Sequence, residues 1–200
     1  MIAIIDVTGN NLKSLAIAIQ KLGYDCQLTH EVNDLQKASH VILPGVGAAP
    51  PAMQALTEYE LIEPLRRLTK PLLGICLGMQ LMFERSEEGE IACLNLIPGK
   101  IEHLPQIIDY PVPHMGWSKL QWSKPTALSE GLESQDYFYF VHSYALLSTT
   151  ASTLATCEYS TNFSAIVQHE NKYGMQFHPE KSAEVGLKLL NNFLKQGESC

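Results

Sequence analysis

Two short segments carry residue types that together could perform acyl transfer: Gly74-Ile75-Cys76-Leu77-Gly78 and Phe177-His178-Pro179-Glu180. Cys76 follows the apolar run Leu72-Leu73 and precedes Leu77-Gly78-Met79-Gln80-Leu81-Met82-Phe83, a pattern that predicts a strand turning sharply into a helix. Gly74 and Gly78 let strand and helix approach without Cβ clashes, as in the Gly-x-Ser-x-Gly nucleophile elbow. At a helix N-terminus, unpaired N–H groups and the positive end of the dipole favour thiolate, the nucleophilic form. The Leu77 N–H is then placed to stabilise a tetrahedral oxyanion, a contribution of about 3–4 kcal/mol per donor. Read alone, the turn is equally a glycine-flanked buried cysteine at an ordinary strand–helix junction.

His178 supplies a base. Pro179 fixes its own φ and restrains His178 to an extended conformation. In an extended segment residues two apart face the same way, which lets Glu180 reach the imidazole, hold the ring and stabilise imidazolium. The opposite ring nitrogen is free to take a proton from Cys76 and return it to a leaving amine. Taken by itself the pair is also readable as a solvated ion pair at a strand end. A third segment, Pro44-Gly45-Val46-Gly47 after Val41-Ile42-Leu43, lies at the carboxyl edge of a predicted strand, where open α/β sheets bind ligands. An N–H from the Val46 or Gly47 peptide completes an oxyanion hole, and glycine allows that peptide to rotate in and out. The plainer reading is a tight turn into a helix after Pro50-Pro51.

These segments must be positioned by a sheet. Short apolar runs at Ile2–Asp6, Tyr24–Leu28, Val41–Leu43 and Leu72–Cys76 alternate with amphipathic stretches such as Leu12, Leu15, Ile19 and Leu22. That alternation predicts an α/β fold with a doubly wound, mostly parallel central sheet and flanking helices. From about Ile97 to Tyr173 the pattern shifts to strand and turn, with the aromatic run Tyr137–Val141, and predicts additional antiparallel strands. Ser182 to Leu194, with Val185, Leu189, Leu190 and Phe193 on one stripe, predicts a final helix.

With 200 residues, 46% hydrophobic and 18% charged, the chain fits one domain spanning 1–200. A net charge of −7 with interspersed signs leaves no footprint for nucleic acid or an anionic membrane. The N-terminal run lacks a basic flank and a cleavage site, and no apolar stretch approaches the roughly 20 residues of a bilayer span. A soluble, cytoplasmic protein is expected. Five widely spaced cysteines without a Cys-x-x-Cys pair argue for reduced thiols and against a disulfide framework or a metal site, and no cofactor is expected.

Taken in order, Pro44-Gly45-Val46-Gly47-Ala48, Gly74–Gln80 and Phe177-His178-Pro179-Glu180-Lys181-Ser182 resemble the class I, or triad, glutamine amidotransferases. Pro113-His114-Met115-Gly116-Trp117 and Tyr139-Phe140-Val141-His142-Ser143-Tyr144 narrow the resemblance to glutaminase subunits of imidazole glycerol phosphate synthase. The resemblance implies a catalytic triad of Cys76, His178 and Glu180, with Gln80, Glu88, His142, Ser143 and Tyr144 around bound L-glutamine. It implies Trp117, Tyr139 and Lys181 at an interface and gate, and a heterodimer with a (β/α)8-barrel cyclase subunit that receives ammonia through a channel. The products would be imidazole glycerol phosphate and aminoimidazole carboxamide ribonucleotide, in histidine biosynthesis. Because the pattern uses the whole length, the ammonia must react elsewhere, and rotation of the Pro44–Gly47 peptide is the expected gate, biased by ligand on the cyclase. The sequence departs from the family at Asp6–Asn11, at Ala49-Pro50-Pro51 and at Ser118, which leaves both Glu87 and Glu88 open as the glutamine contact.

Overall fold

A computed structural model describes residues 1–7 and 12–196. Thr8 to Asn11 of the departing N-terminal segment, and Cys200, lie outside the described residues. The N-terminal half alternates strand and helix as its periodicity requires: β1 (Ile2–Ile5), α1 (Leu12–Lys21), β2 (Cys26–Thr29), α2 (Val32–Lys37), β3 (His40–Gly45), α3 (Ala49–Glu58), α4 (Ile62–Arg66), β4 (Leu72–Cys76) and α5 (Leu77–Gln80). The chain then builds β5 (Arg85–Ser86), β6 (Ile91–Ala92), β7 (Lys100–His103), β8 (His114–Lys119), β9 (Gln121–Trp122), β10 (Tyr137–His142), β11 (Tyr144–Ala145), β12 (Thr153–Glu158), β13 (Asn162–His169), β14 (Lys172–Met175) and the closing helix α6 (Ala183–Leu194).

Among the described residues the main sheet has eight strands in the order β2-β1-β3-β4-β14-β13-β12-β9. The pairs from β2 to β14 are parallel and those from β14 onward antiparallel, so the fold is α/β with a mostly parallel sheet extended by antiparallel strands. Side chains alternate across it. Ile2, Ile4, Ile42 and Leu73 join a core with α1 and α6, whereas Ala3, Ile5, Val41, Leu43 and Leu72 join one with α3 and α5. An antiparallel ribbon, β8 with β10, and a four-stranded sheet, β11-β7-β5-β6, form the rest. No described helix is long and apolar enough to cross a membrane.

Two local expectations change. The helix after Cys76 is a single turn, not a run to Phe83, because the carbonyls of Leu81, Met82 and Phe83 accept N–H groups of Leu94, Asn95, Leu96 and Ile97 instead of continuing the helical ladder. Helix α3 starts at Ala49, before Pro50 and Pro51, which occupy its first turn, where an N–H would have no intrahelical acceptor.

Candidate active site

The sheet's carboxyl edge brings three distant segments together. Strands β3, β4 and β14 are hydrogen-bonded neighbours, with Gly45 opposite Cys76 and Met175 opposite Ile75. Cys76 ends β4 at φ 53° and ψ −112°, a conformation a non-glycine residue rarely adopts and one that marks functional turns. The elbow demands close approach: a Cβ on Gly78 would lie 1.7 Å from the Leu43 carbonyl oxygen, and one on Gly74 would meet Met82 and the Gly78 carbonyl. Gly47, at φ +99°, takes the left-handed conformation expected of a peptide that must turn.

Cys76 is 6% exposed and opens on a cavity of about 360 Å³. Its Sγ lies 3.7 Å from the Val141 carbonyl oxygen and 3.8 Å from Gln176 Nε2. His178, on the same cavity, donates from Nδ1 to Glu180 Oε1 at 2.9 Å, while its Nε2 is buried without a protein hydrogen bond. Burial opposes the imidazolium, but Cys76 and Glu180 outweigh it and raise His178 to about 10. Glu180 reaches the ring from a 3-10 turn over Pro179–Lys181, not along an extended strand: β14 has ended at Met175, and the Lys181 N–H closes the turn on the His178 carbonyl. The arrangement can deprotonate a thiol and protonate a leaving group.

The same cavity is lined by Val46, Gly47, Leu77, Gln80, Glu88, His142, Ser143 and Tyr144, together with Pro113 and Val141. Glu88 accepts the Ala49 N–H at 2.7 Å, at the start of α3. Its neighbour Glu87 turns away to Lys100 at 2.7 Å and the His103 N–H at 2.9 Å, which lowers its carboxyl. Gln80 donates to the Tyr144 carbonyl at 2.7 Å and to Gln176 Oε1 at 3.1 Å. His142 is pushed down to about 3 by burial and by the adjacent His114. Trp117, Tyr139 and Lys181 lie off the cavity: Trp117 and Tyr139 pair across the outer face of the β8–β10 ribbon, with ring centroids 5.8 Å apart, and Lys181 follows Glu180 in its turn.

Gln176 was not singled out by sequence, although it stands two residues before His178 and its amide bridges Gln80 to Cys76. Of the other described cysteines, Cys93 and Cys157 are pushed by burial up to about 11 and 12. Neither lies beside an imidazole on this cavity.

The family model for class-I glutamine amidotransferases matches residues 3–196. The chain belongs to the class I glutamine amidotransferases. A relative named imidazole glycerol phosphate synthase subunit HisH 2, from Legionella pneumophila strain Paris, is 58% identical over 200 residues, covering 100% of both chains. A HisH subunit from Xanthomonas axonopodis pv. citri is 49% identical over 97% of this chain and 96% of its own. A crystal structure of a glutamine amidotransferase shares the fold at 16% identity, with a TM-score of 0.76 over 96% of each chain. A putative GMP synthase subunit from Thermoplasma acidophilum does so at 19% identity, with a TM-score of 0.72 over 96% of this chain and 91% of that one. As a member of this amidotransferase family, the chain is a glutamine-hydrolysing enzyme.

Proposed function

We propose that the chain is the glutaminase subunit of an imidazole glycerol phosphate synthase, acting as one domain over 1–200, in the cytoplasm. The observation that carries the reading is the meeting of Cys76, with its strained backbone, and the His178–Glu180 pair at one cavity with room for a glutamine side chain. Full-length similarity to HisH subunits supports the choice of synthase.

In this mechanism His178 accepts the Cys76 proton and the thiolate attacks the side-chain amide carbon of L-glutamine. The N–H groups of Leu77 and of the Val46 or Gly47 peptide hold the oxyanion. Collapse of the tetrahedral intermediate breaks the C–N bond as His178 gives its proton to the departing ammonia, leaving a thioester. Water, deprotonated by the same ring, then releases glutamate and restores the thiol. Glu180 keeps the ring oriented and stabilises imidazolium. Glu88 supplies negative charge for the substrate ammonium, and Gln80, His142, Ser143 and Tyr144 form the remaining walls.

The ammonia passes to a (β/α)8-barrel cyclase that makes imidazole glycerol phosphate and aminoimidazole carboxamide ribonucleotide. The outer ribbon face suits such a partner: Met115 is 63% and Trp117 51% exposed, beside Tyr139 and Tyr137. Aromatic side chains are enriched at interface cores. Lys181 borders the same end of the site. Rotation of the peptide at Gly47 is the gate.

A glutaminase assay of the wild type and Cys76→Ala, with and without cyclase and its nucleotide ligand, tests this reading. Turnover is expected to be low alone, to rise with cyclase and ligand, and to vanish in Cys76→Ala. Equal turnover with and without the cyclase would eliminate the gate, and activity in Cys76→Ala would eliminate the nucleophile.

A further inference from the structure

Beneath the exposed face of the ribbon runs a line of buried and half-buried polar groups of which the proposed chemistry uses only one end. His142 Nδ1 lies 3.0 Å from the Tyr144 carbonyl oxygen, His142 Nε2 lies 3.1 Å from His114 Nδ1, and His114 Nε2 lies 3.0 Å from Ser118 Oγ. A carbonyl oxygen only accepts, so His142 Nδ1 carries a hydrogen. Burial lowers His114 to about 4 as it does His142, and a neutral imidazole has one N–H. His142 Nε2 is therefore bare and accepts from His114 Nδ1–H. His114 Nε2 is bare in turn and accepts from the Ser118 hydroxyl. One proton assignment satisfies every member, and the line has a direction, from Ser118 to Tyr144.

The Tyr144 carbonyl is a junction. It also accepts from Gln80, whose amide bonds Gln176, whose amide faces Cys76 Sγ at 3.8 Å. His114 is stacked between Tyr159, with centroids 4.0 Å apart, and Phe140, at 4.9 Å, and does not line the cavity. Rigid packing on both faces leaves its ring no alternative plane, so its Nδ1–H is aimed at His142 by the fold.

We infer that His114 is a positioning residue for glutamine hydrolysis, which by donating from Nδ1 fixes the tautomer and plane of His142 and, through the Tyr144 carbonyl, the Ser143–Tyr144 wall and the Gln80 amide. The inference rests on the proposed glutaminase function and adds to it a residue that does not touch substrate. A merely structural His114 would affect stability alone; a positioning one sets the shape of the substrate pocket.

The test combines nitrogen NMR of the labelled full chain with glutamine kinetics of the complex with the cyclase. In the wild type near neutral pH, both His114 and His142 are expected as neutral Nδ1–H tautomers. His114→Phe keeps the stacking and removes the donor. It is expected to mix the His142 tautomers and to raise KM for glutamine about tenfold, the size of one lost buried hydrogen bond, with kcat changed less than about threefold. His114→Asn, which retains a donor near the Nδ1 position, is expected to restore both. An Nε2–H tautomer of His142 in the wild type, or an unchanged KM in His114→Phe, would overturn the inference. Should His114→Phe not fold, the wild-type tautomers and the KM of His114→Asn decide: Nδ1–H with near-normal KM supports the inference, and any other result overturns it. A wild-type complex that does not turn over glutamine overturns the functional reading itself, whatever the tautomers.

Discussion

Two walls of the cavity each present a buried histidine, and the two rings are driven in opposite directions. His178 stands beyond the end of β14 between Cys76 and Glu180, whereas His142 ends β10 between His114 and a backbone carbonyl. Burial disfavours the cation at both, so burial does not distinguish them. The partners do: Cys76 and Glu180 raise His178 to about 10, whereas His142 has no acidic partner and its neighbours His114 and His178 add to the effect of burial, lowering it to about 3. In the proposed mechanism one wall carries a proton back and forth, and the other refuses one.

The two walls should differ most visibly at Glu180. Glu180→Gln keeps the side chain's shape and removes its charge, and is expected to cut kcat by about 10³-fold in a glutaminase assay, because the ring loses its counter-charge. If kcat held, the charged wall would owe its behaviour to Cys76 alone. On the other wall, Trp117→Ala removes an exposed ring from the outer ribbon face. It should weaken cyclase binding by about tenfold or more, read by titration calorimetry, while the unfolding free energy changes by less than about 0.5 kcal/mol.

Stability against pH separates the walls by sign. The folded values of His114 and His142 lie below the ordinary imidazole value, so unfolded chains bind more protons as the medium acidifies, and the contribution of this wall, complete above the unfolded value of about 6.5, is lost as pH falls towards the folded values. His178 does the reverse: its contribution is complete below the unfolded value and is lost as pH rises through the raised folded one. Urea midpoints should therefore fall on the acid side in the wild type and less in a His114→Phe, His142→Phe double variant, and His178→Asn should flatten only the alkaline side. An acid limb unchanged in the double variant would place its origin elsewhere. The smallest effect is expected from Ser118→Ala, which removes the first donor of the line but leaves His114 Nδ1–H in place; KM should rise by less than about threefold.

What sequence could reveal followed how far each residue's partners lie along the chain. Cys76 and its elbow announced themselves through adjacent glycines, and His178 and Glu180 through an intervening proline. The reach of Glu180 follows from the same proline by another route than extended alternation, since a proline that fixes φ also begins a 3-10 turn. Gln176 carried no local mark and His114 only its place in the Pro113–Trp117 segment: their partners stand 96 and 28 positions away, brought close by the fold, in the case of His114 by the pairing of β8 with β10. The choice between Glu87 and Glu88 was equally hidden, because it depends on which of two adjacent side chains faces Lys100 on β7 and which faces α3. Most of the parallel half of the sheet was legible because β1, β4 and the Val41–Leu43 centre of β3 are apolar runs separated by helical spacing, whereas β14, with Lys172 and Gly174, carries no such run. The single-turn α5 was not, because its length is set by N–H groups from the Leu94–Ile97 loop.

The adjacency of β3, β4 and β14 has a consequence for how the enzyme comes into being. The thiol and the glycine turn are made early in translation, but the strand that leads to His178 is inserted beside β4 only after almost the whole chain has been synthesised. With Cys76 as the proposed nucleophile and His178 as the proposed base, a nascent or truncated chain ending before Lys172 would hold the first without the second. On these roles, ammonia release is expected only once the sheet has been closed by its last parallel strand, and fragments ending before it are expected to be silent in a glutaminase assay.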